Sequence, residues 1–332
     1  MAYQRILTPR IYTDNINWML SLGQMVTGDI TLSGLSIASG YSLLSMFDMK
    51  PANLQTITAN GISTQGIIKI DTGLTTDITQ DANFIAILGH NLKSADVKFK
   101  LQTDDDTDFG TAQSPALTEV VNIGGDVSSG DYATPAYNGW SLFTFTQASD
   151  NAFIRLIIDA ETSNYDADIK IGALLLGEYI DLPHSPDLSI KKQIIYDGVK
   201  KQNSTGGQTY SNATWLKSPD WVTHAYGGIQ IGANPLTKSG RTHLDMNFSY
   251  LADTDVFPAI MYNYNYLTAG NDIVSNLVFR THGGHFPFLF QFDKDTTTVE
   301  DAFMYCRLAK EPTFTQVANQ TWNSDISLIE EI

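Results

Sequence analysis

Residues 84–101, FIAILGHNLKSADVKFKL, constrain the fold of this chain more than any other stretch. Residues 84–88 are a short apolar run that ends at Gly89-His90-Asn91, and residues 97–101 alternate apolar and basic side chains. A short apolar run predicts a buried strand, and alternation with a period of two predicts a strand with one wet face. We therefore expect a central pair of strands here. His90 is interpreted as a turn residue that hydrogen-bonds neighbouring backbone, with a general base as the alternative.

Segments with the same two patterns recur along the whole chain, separated by Gly, Pro and Asn. They cover residues 43–48, 54–58, 67–71, 142–145, 154–158 and 169–176 in the first half, and 188–195, 242–250, 286–292, 302–308 and 326–329 in the second. Short strands joined by turn residues at this spacing favour an antiparallel β-sandwich. Pro183 and Pro186 follow the last strand of the first half, so we place a domain boundary there, giving domains at 1–180 and 181–332.

One short helix is expected near the N-terminus. Residues 16–22 can place apolar side chains along one face, Asp14 or Asn15 can cap the start, and Gly23 can end the helix. The sequence thus predicts an all-β protein with few short helices.

Composition excludes several classes of partner. The net charge is −16, and Lys and Arg occur in no run longer than a pair. Nucleic acid and anionic membranes require a basic surface, so neither is expected as a partner. No apolar run approaches the about 20 residues of a membrane span, and the N-terminus does not have the pattern of an export signal. Cys306 has no second cysteine to pair with and is expected to be a buried, inert thiol.

The segment at residues 104–108, DDDTD, which we call the acidic loop, is the first candidate site. Carboxylates are the hard oxygen ligands that Ca²⁺ requires, so Asp104, Asp106 and Asp108 are candidate calcium ligands. The acidic loop does not have the spaced carboxylates, the glycine and the final glutamate of an EF-hand. A solvated acidic turn without metal is the alternative, and no other cofactor is expected.

Two histidines form the second candidate site. His282 and His285 flank a pair of glycines, and a third ligand such as His243 or His224 would complete a zinc site. The alternative is a turn before the strand at 286–292, in which the imidazoles hydrogen-bond the backbone.

Tyrosines alternate with asparagines at residues 262–266. In an extended chain Tyr262, Tyr264 and Tyr266 would lie on one face, where they could contact a glycan or another subunit. An edge strand whose tyrosines pack on the core is the alternative.

Catalytic motifs are absent from the sequence. It contains no nucleophile elbow, P-loop or dinucleotide fingerprint. Asp253 and Asp255 are a carboxylate pair of the kind used in glycoside hydrolysis, but such pairs also arise by chance in an acidic chain. We therefore expect that the protein is not an enzyme.

Several segments in order resemble a known family. Residues 68–73 (IKIDTG), residues 83–92 (NFIAILGHNL) and the alternating strand that ends in the acidic loop resemble discoidin-like (galactose-binding-like) jelly-roll domains, especially those in virion proteins of tailed bacteriophages. In the second half, residues 181–188 (DLPHSPDL), 215–221 (WLKSPDW) and 313–317 (TFTQV) are similar to phage structural and tail-associated proteins. The resemblance covers residues 41–332.

The resemblance implies an N-terminal arm and jelly-roll β-sandwich followed by a second β-rich assembly domain. It implies a non-enzymatic structural protein of the tail, baseplate or fibre-attachment region, made in the host cytoplasm and located in the virion. Its partners would be other copies of itself, with which it forms a symmetric oligomer, and other virion proteins. A carbohydrate-binding module that recognises a host surface glycan is the first alternative, and a glycosidase is the second.

Overall fold

A computed structural model of the protein describes residues 6–71, 82–123, 127, 130–146, 151, 153–196, 201–211, 230–231, 234–235, 240–259, 272–295 and 302–331. These residues form mostly antiparallel strands with a few short helical segments. The strands of the first half are β1 Arg10–Asp14, β2 Ile30–Ser33, β3 Ser36–Ile37, β4 Gln55–Thr58, β5 Gly66–Ile70, β6 Phe84–His90, β7 Val97–Asp104, β8 Thr118–Val121, β9 Gly139–Thr144, β10 Phe153–Ala160, β11 Ile169–Ile171 and β12 Ala173–Asp181.

The second half continues the same pattern. Its strands are β13 Lys191–Ile195, β14 Lys201–Asn203, β15 Thr209–Ser211, β16 Gln230–Ile231, β17 Asn234–Pro235, β18 Arg241–Ala252, β19 Phe288–Gln291, β20 Phe303–Ala318 and β21 Thr321–Glu330. The helical segments are α1 Ile16–Leu22, α2 Asp253–Val256, the 3-10 turns Thr27–Asp29 and Leu43–Phe47, and the π-helix Val274–Phe279. The expected all-β class is confirmed.

The first half is a β-sandwich, as the resemblance implies. One layer is the strand order β1-β12-β6-β9-β8, and the other is β2-β5-β10-β7. Both layers contribute buried apolar side chains to one core, in which Phe99 of β7 stacks on Phe143 of β9 with ring centroids 5.3 Å apart. Each fully buried Phe contributes roughly 1.5–3 kcal/mol, and this pair is one of many buried contacts that join the layers.

The prediction that residues 84–101 form a central pair of neighbouring strands is wrong in one respect. β6 pairs with β12 and β9, whereas β7 pairs with β10 in the opposite layer. β6 is buried along its whole length, which is why its pattern is continuously apolar, while β7 alternates because it has one wet face. The two strands therefore face each other across the core.

The structure also differs from the prediction at two other predicted strands. In the predicted strand at 43–48, residues Leu43–Phe47 form a 3-10 turn instead, because a short apolar run fits a buried helical turn equally well. The segment 169–176 is interrupted at Gly172, where a Cβ would lie 1.9 Å from the carbonyl oxygen of Pro51. The close approach of these two backbones ends β11 and starts β12.

The second half extends the first layer instead of forming a separate sheet. The order β13-β18-β21-β20-β19 continues directly into β1, and β1 pairs with β12 on one side and β19 on the other. The ten-stranded sheet therefore crosses the expected boundary at residue 180. Whether 1–180 and 181–332 fold independently stays a prediction.

The helix predicted near the N-terminus is confirmed as α1, which ends at the left-handed Gly23. Asp14 provides the side-chain cap, since its Oδ2 accepts a hydrogen bond from the backbone N–H of Asn17 at 2.8 Å. The short α2 and the π-helix cover one face of the second half, where Val256 and Leu277 pack in the same core as Phe288. In the part of the chain that is described, no helix has both the length and the apolar character needed to span a membrane.

Candidate functional site

A groove of about 590 Å³ lies where the second half meets the first. This volume is within the range of roughly 300–1,000 Å³ that is typical of small-ligand sites. Its walls are Trp18 and Leu22 of α1, Val278 and Phe279 of the π-helix, His282 and Gly283 of the following turn, and Glu311 and Pro312 of β20. The groove is thus formed by three segments that are far apart in the sequence.

The α1 wall is fixed from below by a buried carboxylate. Asp14 is buried, and its Oδ1 accepts a hydrogen bond from the N–H of Leu176 in β12 at 3.0 Å while its Oδ2 caps α1. Burial raises the pKa of Asp14 to about 6, although the hydrogen bonds from Asn17 and Leu176 act in the opposite direction. The two hydrogen bonds tie the start of α1 to the sheet.

The opposite wall is shaped by unusual backbone. Asp272 starts the π-helix by accepting hydrogen bonds from the N–H and the hydroxyl of Ser275, both at 2.7 Å. After the π-helix, His282, Gly283 and Gly284 all have positive φ, and this reverses the chain towards β19. A π-helical turn is rare and occurs often at functional sites, and positive φ at a histidine is uncommon.

Arg280 joins the two walls underneath the groove. Its guanidinium is 1% exposed, donates to Asn15 Oδ1 at 2.7 Å and pairs with Glu178 Oε2 at 2.9 Å. It also lies 5.8 Å from the ring centroid of Trp18. A buried charge is tolerated only when it is paired and hydrogen-bonded, so α1, β12 and the π-helix segment are held in one arrangement.

The polar groups of the groove are few. His282 is exposed, and its Nε2 lies 2.7 Å from the hydroxyl oxygen of Ser21. The exposed Glu311 leans against Gly283, since its Oε1 lies 3.5 Å from the place where a Cβ of that glycine would be. With Phe279 and Pro312 half-buried, the groove combines apolar surface with one imidazole and one carboxylate.

The candidate zinc ligands do not come together as a metal site. His282 contacts Ser21 and Phe286, and His243 of β18 lies beside Ser327, while His224 is outside the described residues. Among the described residues, His282, His285 and His243 do not belong to any group of three side chains that could hold a zinc ion.

The acidic loop is built largely around its first carboxylate. Asp104 is buried, and its Oδ1 accepts hydrogen bonds from the N–H of Asp105 at 2.8 Å and the hydroxyl of Thr111 at 3.1 Å. Burial acts to raise the pKa of Asp104, but these hydrogen bonds outweigh it and hold the pKa below its ordinary value. Asp106 and Asp108 are exposed, and Asp108 Oδ1 accepts a hydrogen bond from the N–H of Gly110 at 2.7 Å. Calcium binding here stays a prediction.

His90 is buried at the end of β6. Its Nδ1 accepts a hydrogen bond from the N–H of Leu92 at 3.4 Å, and its Nε2 lies 2.8 Å from Ser141 Oγ. Burial lowers the pKa of His90 to about 3, so the imidazole is neutral at physiological pH. The bond to Leu92 agrees with the interpretation as turn chemistry, and a buried imidazole of such low basicity is a poor general base.

Ser327, His243 and Asp245 lie together in an arrangement that resembles a catalytic triad. The hydroxyl of Ser327 donates to Asp245 Oδ1 at 2.6 Å, while His243 Nε2 is 3.2 Å away. In a working triad the serine proton goes to the histidine, so this geometry does not activate the serine. Cys306 is buried as expected, and burial raises the pKa of its thiol well above the ordinary value.

The carboxylate pair Asp253 and Asp255 belongs to α2. Asp255 Oδ2 accepts a hydrogen bond from the N–H of Ala252, and Asp253 Oδ1 accepts one from the indole of Trp322. Both carboxylates thus have structural partners. Tyr262, Tyr264 and Tyr266 lie outside the described residues.

Comparison with known proteins yields few matches. No protein-family model matches the chain, and no curated protein sequence does. Among solved structures, the chain is similar to chitosan-binding module 1 of a chitosanase/glucanase from Paenibacillus sp. IK-5, with 17% identity over 44% of this chain and 92% of the module and a TM-score of 0.29. It is also similar to the CBM32-1 module of a family 31 glycoside hydrolase from Clostridium perfringens, with 10% identity over 46% of this chain and 96% of the module and a TM-score of 0.30. At these identities and TM-scores neither structure carries a function over to this chain.

Proposed function

We propose that this protein is a non-enzymatic carbohydrate-binding protein and that the groove between α1, the π-helix and β20 is its binding site. The observation that carries the proposal is the composition of the groove. Half-buried apolar side chains, Phe279 and Pro312, lie next to two exposed hydrogen-bonding groups, His282 and Glu311. A sugar ring presents an apolar face and a rim of hydroxyls, and sites of this kind are concave, mostly apolar and supplied with a few placed polar groups.

The rigid base of the groove supports binding. Arg280 is 1% exposed and fixes α1 against the π-helix segment, so the walls need little reorganisation when a ligand enters. A site that is already ordered loses less conformational entropy on binding.

The charge of the groove indicates which sugars it accepts. Glu311 is the one carboxylate among the lining residues, all of which are described, and it can accept hydrogen bonds from sugar hydroxyls. A uronate or sulfated sugar would place a like charge beside it. Hydrolysis of a glycosidic bond ordinarily uses two carboxylates, so the groove favours binding without turnover.

Binding can be tested on a glycan array followed by calorimetry with the neutral oligosaccharide that gives the strongest signal. We expect Phe279→Ala and Glu311→Gln each to weaken binding at least about tenfold, because each removes a central contact. Phe257→Ala and Glu161→Gln are matched controls, since Phe257 is also half-buried and Glu161 is also exposed, and both lie outside the groove. Circular dichroism verifies that each variant is folded. Absence of binding to every glycan, or binding unchanged in both groove variants, would contradict the proposal.

A second candidate function is a structural role in the virion of a tailed bacteriophage, in the tail, baseplate or fibre-attachment region. Its support from the structure is the end of the long hairpin β20–β21, whose residues 315–320 lie beyond the part of β20 that pairs with β19 and are all exposed. An exposed hairpin end suits contacts with other virion proteins. Mass spectrometry of purified particles tests this role, and absence of the chain from the particles would rule it out.

A further inference from the structure

Two segments of the second half, close to each other in the sequence, are largely exposed. Together we call them the basic arm, and it consists of residues 188–196, which contain β13, and residues 201–211, which contain the hairpin β14–β15. Every residue of β14 and β15 is exposed, as are four of the five residues of β13. Four large apolar side chains of the basic arm are also exposed, namely Leu188, Ile194, Tyr196 and Tyr210.

The hairpin β14–β15 has a well-formed turn. The N–H of Ser204 donates to the carbonyl of Gln208 at 2.8 Å, and the N–H of Gly207 donates to the carbonyl of Ser204 at 2.9 Å. Among the described strands, however, β14 and β15 pair only with each other. A two-stranded hairpin alone is at best marginally stable in water, and an additional packing surface is needed to hold it.

The charge of the basic arm is opposite to that of the rest of the chain. Its 20 residues contain three lysines, Lys191, Lys192 and Lys201, and no acidic residue, so its net charge is +3. The whole chain carries −16, so the remaining 312 residues carry −19. Complementary charge of this kind selects partners and orients them.

We propose that the basic arm is an assembly surface that binds the acidic surface of a second copy of this chain. Contact between two basic arms would place like charges together, so each arm must meet a different, acidic part of its neighbour. The exposed Leu188, Ile194, Tyr196 and Tyr210 would then be covered in the contact, and the hairpin would gain a packing surface on the neighbouring copy. This inference does not depend on carbohydrate binding in the groove.

The oligomeric state in solution tests the proposal. Sedimentation velocity of the full chain is measured over a range of protein concentrations at about 0.01 M and about 1 M salt, where the Debye length is roughly 30 Å and 3 Å. We expect a defined oligomer at low salt that dissociates as the salt concentration rises. In Lys191→Glu/Lys192→Glu/Lys201→Glu the dissociation constant should increase at least about tenfold.

The matched control is Lys50→Glu/Lys93→Glu/Lys170→Glu, which changes the net charge by the same amount at three exposed lysines outside the basic arm. It should assemble almost as the unaltered chain does. Zero-length amine-to-carboxylate crosslinking of a mixture of ¹⁴N and ¹⁵N chains should join arm lysines to Asp or Glu of the other isotope.

Three results would overturn the proposal. The first is a chain that is monomeric under all conditions, and the second is an oligomer that both triple variants affect equally. The third is a monomeric chain whose basic arm binds polyglutamate or heparin, which would assign the arm to a different polyanionic partner.

Discussion

We expect this protein to lose stability in mild acid, and replacing His90 with glutamine should remove a large part of that loss. His90 is 4% exposed, and its Nδ1 accepts a hydrogen bond from Leu92. Protonation would force a second donor towards that N–H and place a charge in the core. Glutamine is uncharged at every pH and keeps one acceptor and one donor group, so His90→Gln removes the titration while a polar side chain remains.

The magnitude follows from the difference in pKa between the two states. Burial lowers the pKa of His90 to about 3, whereas the unfolded chain has the ordinary value of 6.5. Between these values only the unfolded chain takes up the proton, so the free energy of unfolding falls as the pH falls below 6.5. Each pH unit is equivalent to about 1.36 kcal/mol, which gives about 2.7 kcal/mol between pH 7.5 and pH 4.5.

Another buried group acts in the opposite direction. The pKa of Asp14 is raised to about 6 in the folded state, so its contribution to stability grows as the pH falls through 6 and is lost as the pH rises again. Asp14 is present in both the unaltered protein and His90→Gln. Its contribution therefore cancels when the free energies of unfolding of the two proteins are subtracted.

The assay is urea unfolding followed by tryptophan fluorescence at several pH values, with circular dichroism at pH 7.5 to verify that His90→Gln folds. The free energy of unfolding of the unaltered protein, minus that of the variant, should fall by about 2.7 kcal/mol from pH 7.5 to pH 4.5. A difference that does not change with pH would refute the reasoning, because it would show that His90 titrates equally in both states.

Three further predictions concern the buried ion pair, a close backbone approach and the acidic loop. Arg280→Met should lower the free energy of unfolding by about 3–5 kcal/mol in urea unfolding because Glu178 loses its buried partner, and Arg280→Met/Glu178→Met should recover much of that loss; equal losses in the single and double variants would contradict this. Gly172→Ala should lower the free energy of unfolding by about 1–3 kcal/mol, because the new Cβ would lie 1.9 Å from the carbonyl oxygen of Pro51. The control is Gly28→Ala, whose new Cβ has no atom within 4 Å and should not cause this loss in the same urea unfolding assay. If the acidic loop binds Ca²⁺, calcium at 100 times its dissociation constant should stabilise the folded chain by about 2.7 kcal/mol, and a thermal midpoint that calcium leaves unchanged would remove the loop as a calcium site.

Much of the secondary structure could be predicted from local patterns. The alternation at 242–250 fits β18 because one face of that strand is buried and the other is wet. The helix α1 was also predictable, since its cap at Asp14 and its end at Gly23 are local signals. The layer of the sandwich to which each strand belongs could not be predicted, because a strand such as β6 has the same pattern whichever neighbour it pairs with.

The groove could not be predicted from the sequence. Trp18, Phe279 and Glu311 belong to three separate segments, and no local pattern indicates that the segments meet. His282 was identified only as part of a candidate metal site, and its role in lining a groove depends on the contact with Ser21 that tertiary structure creates. The buried Arg280, a charged residue in a segment without a motif, gave no signal that it would connect both walls.

The position of β1 has a consequence for how the protein is made. Tyr12 of β1 hydrogen-bonds Gln291 of β19, and these residues are 279 positions apart in the chain. During synthesis β1 leaves the ribosome long before either β12 or β19, so it cannot complete its pairing until residue 291 has been translated. Contacts of such long range slow folding and leave strand edges open to incorrect pairing. We therefore expect completion of the ten-stranded sheet to be a late step in folding.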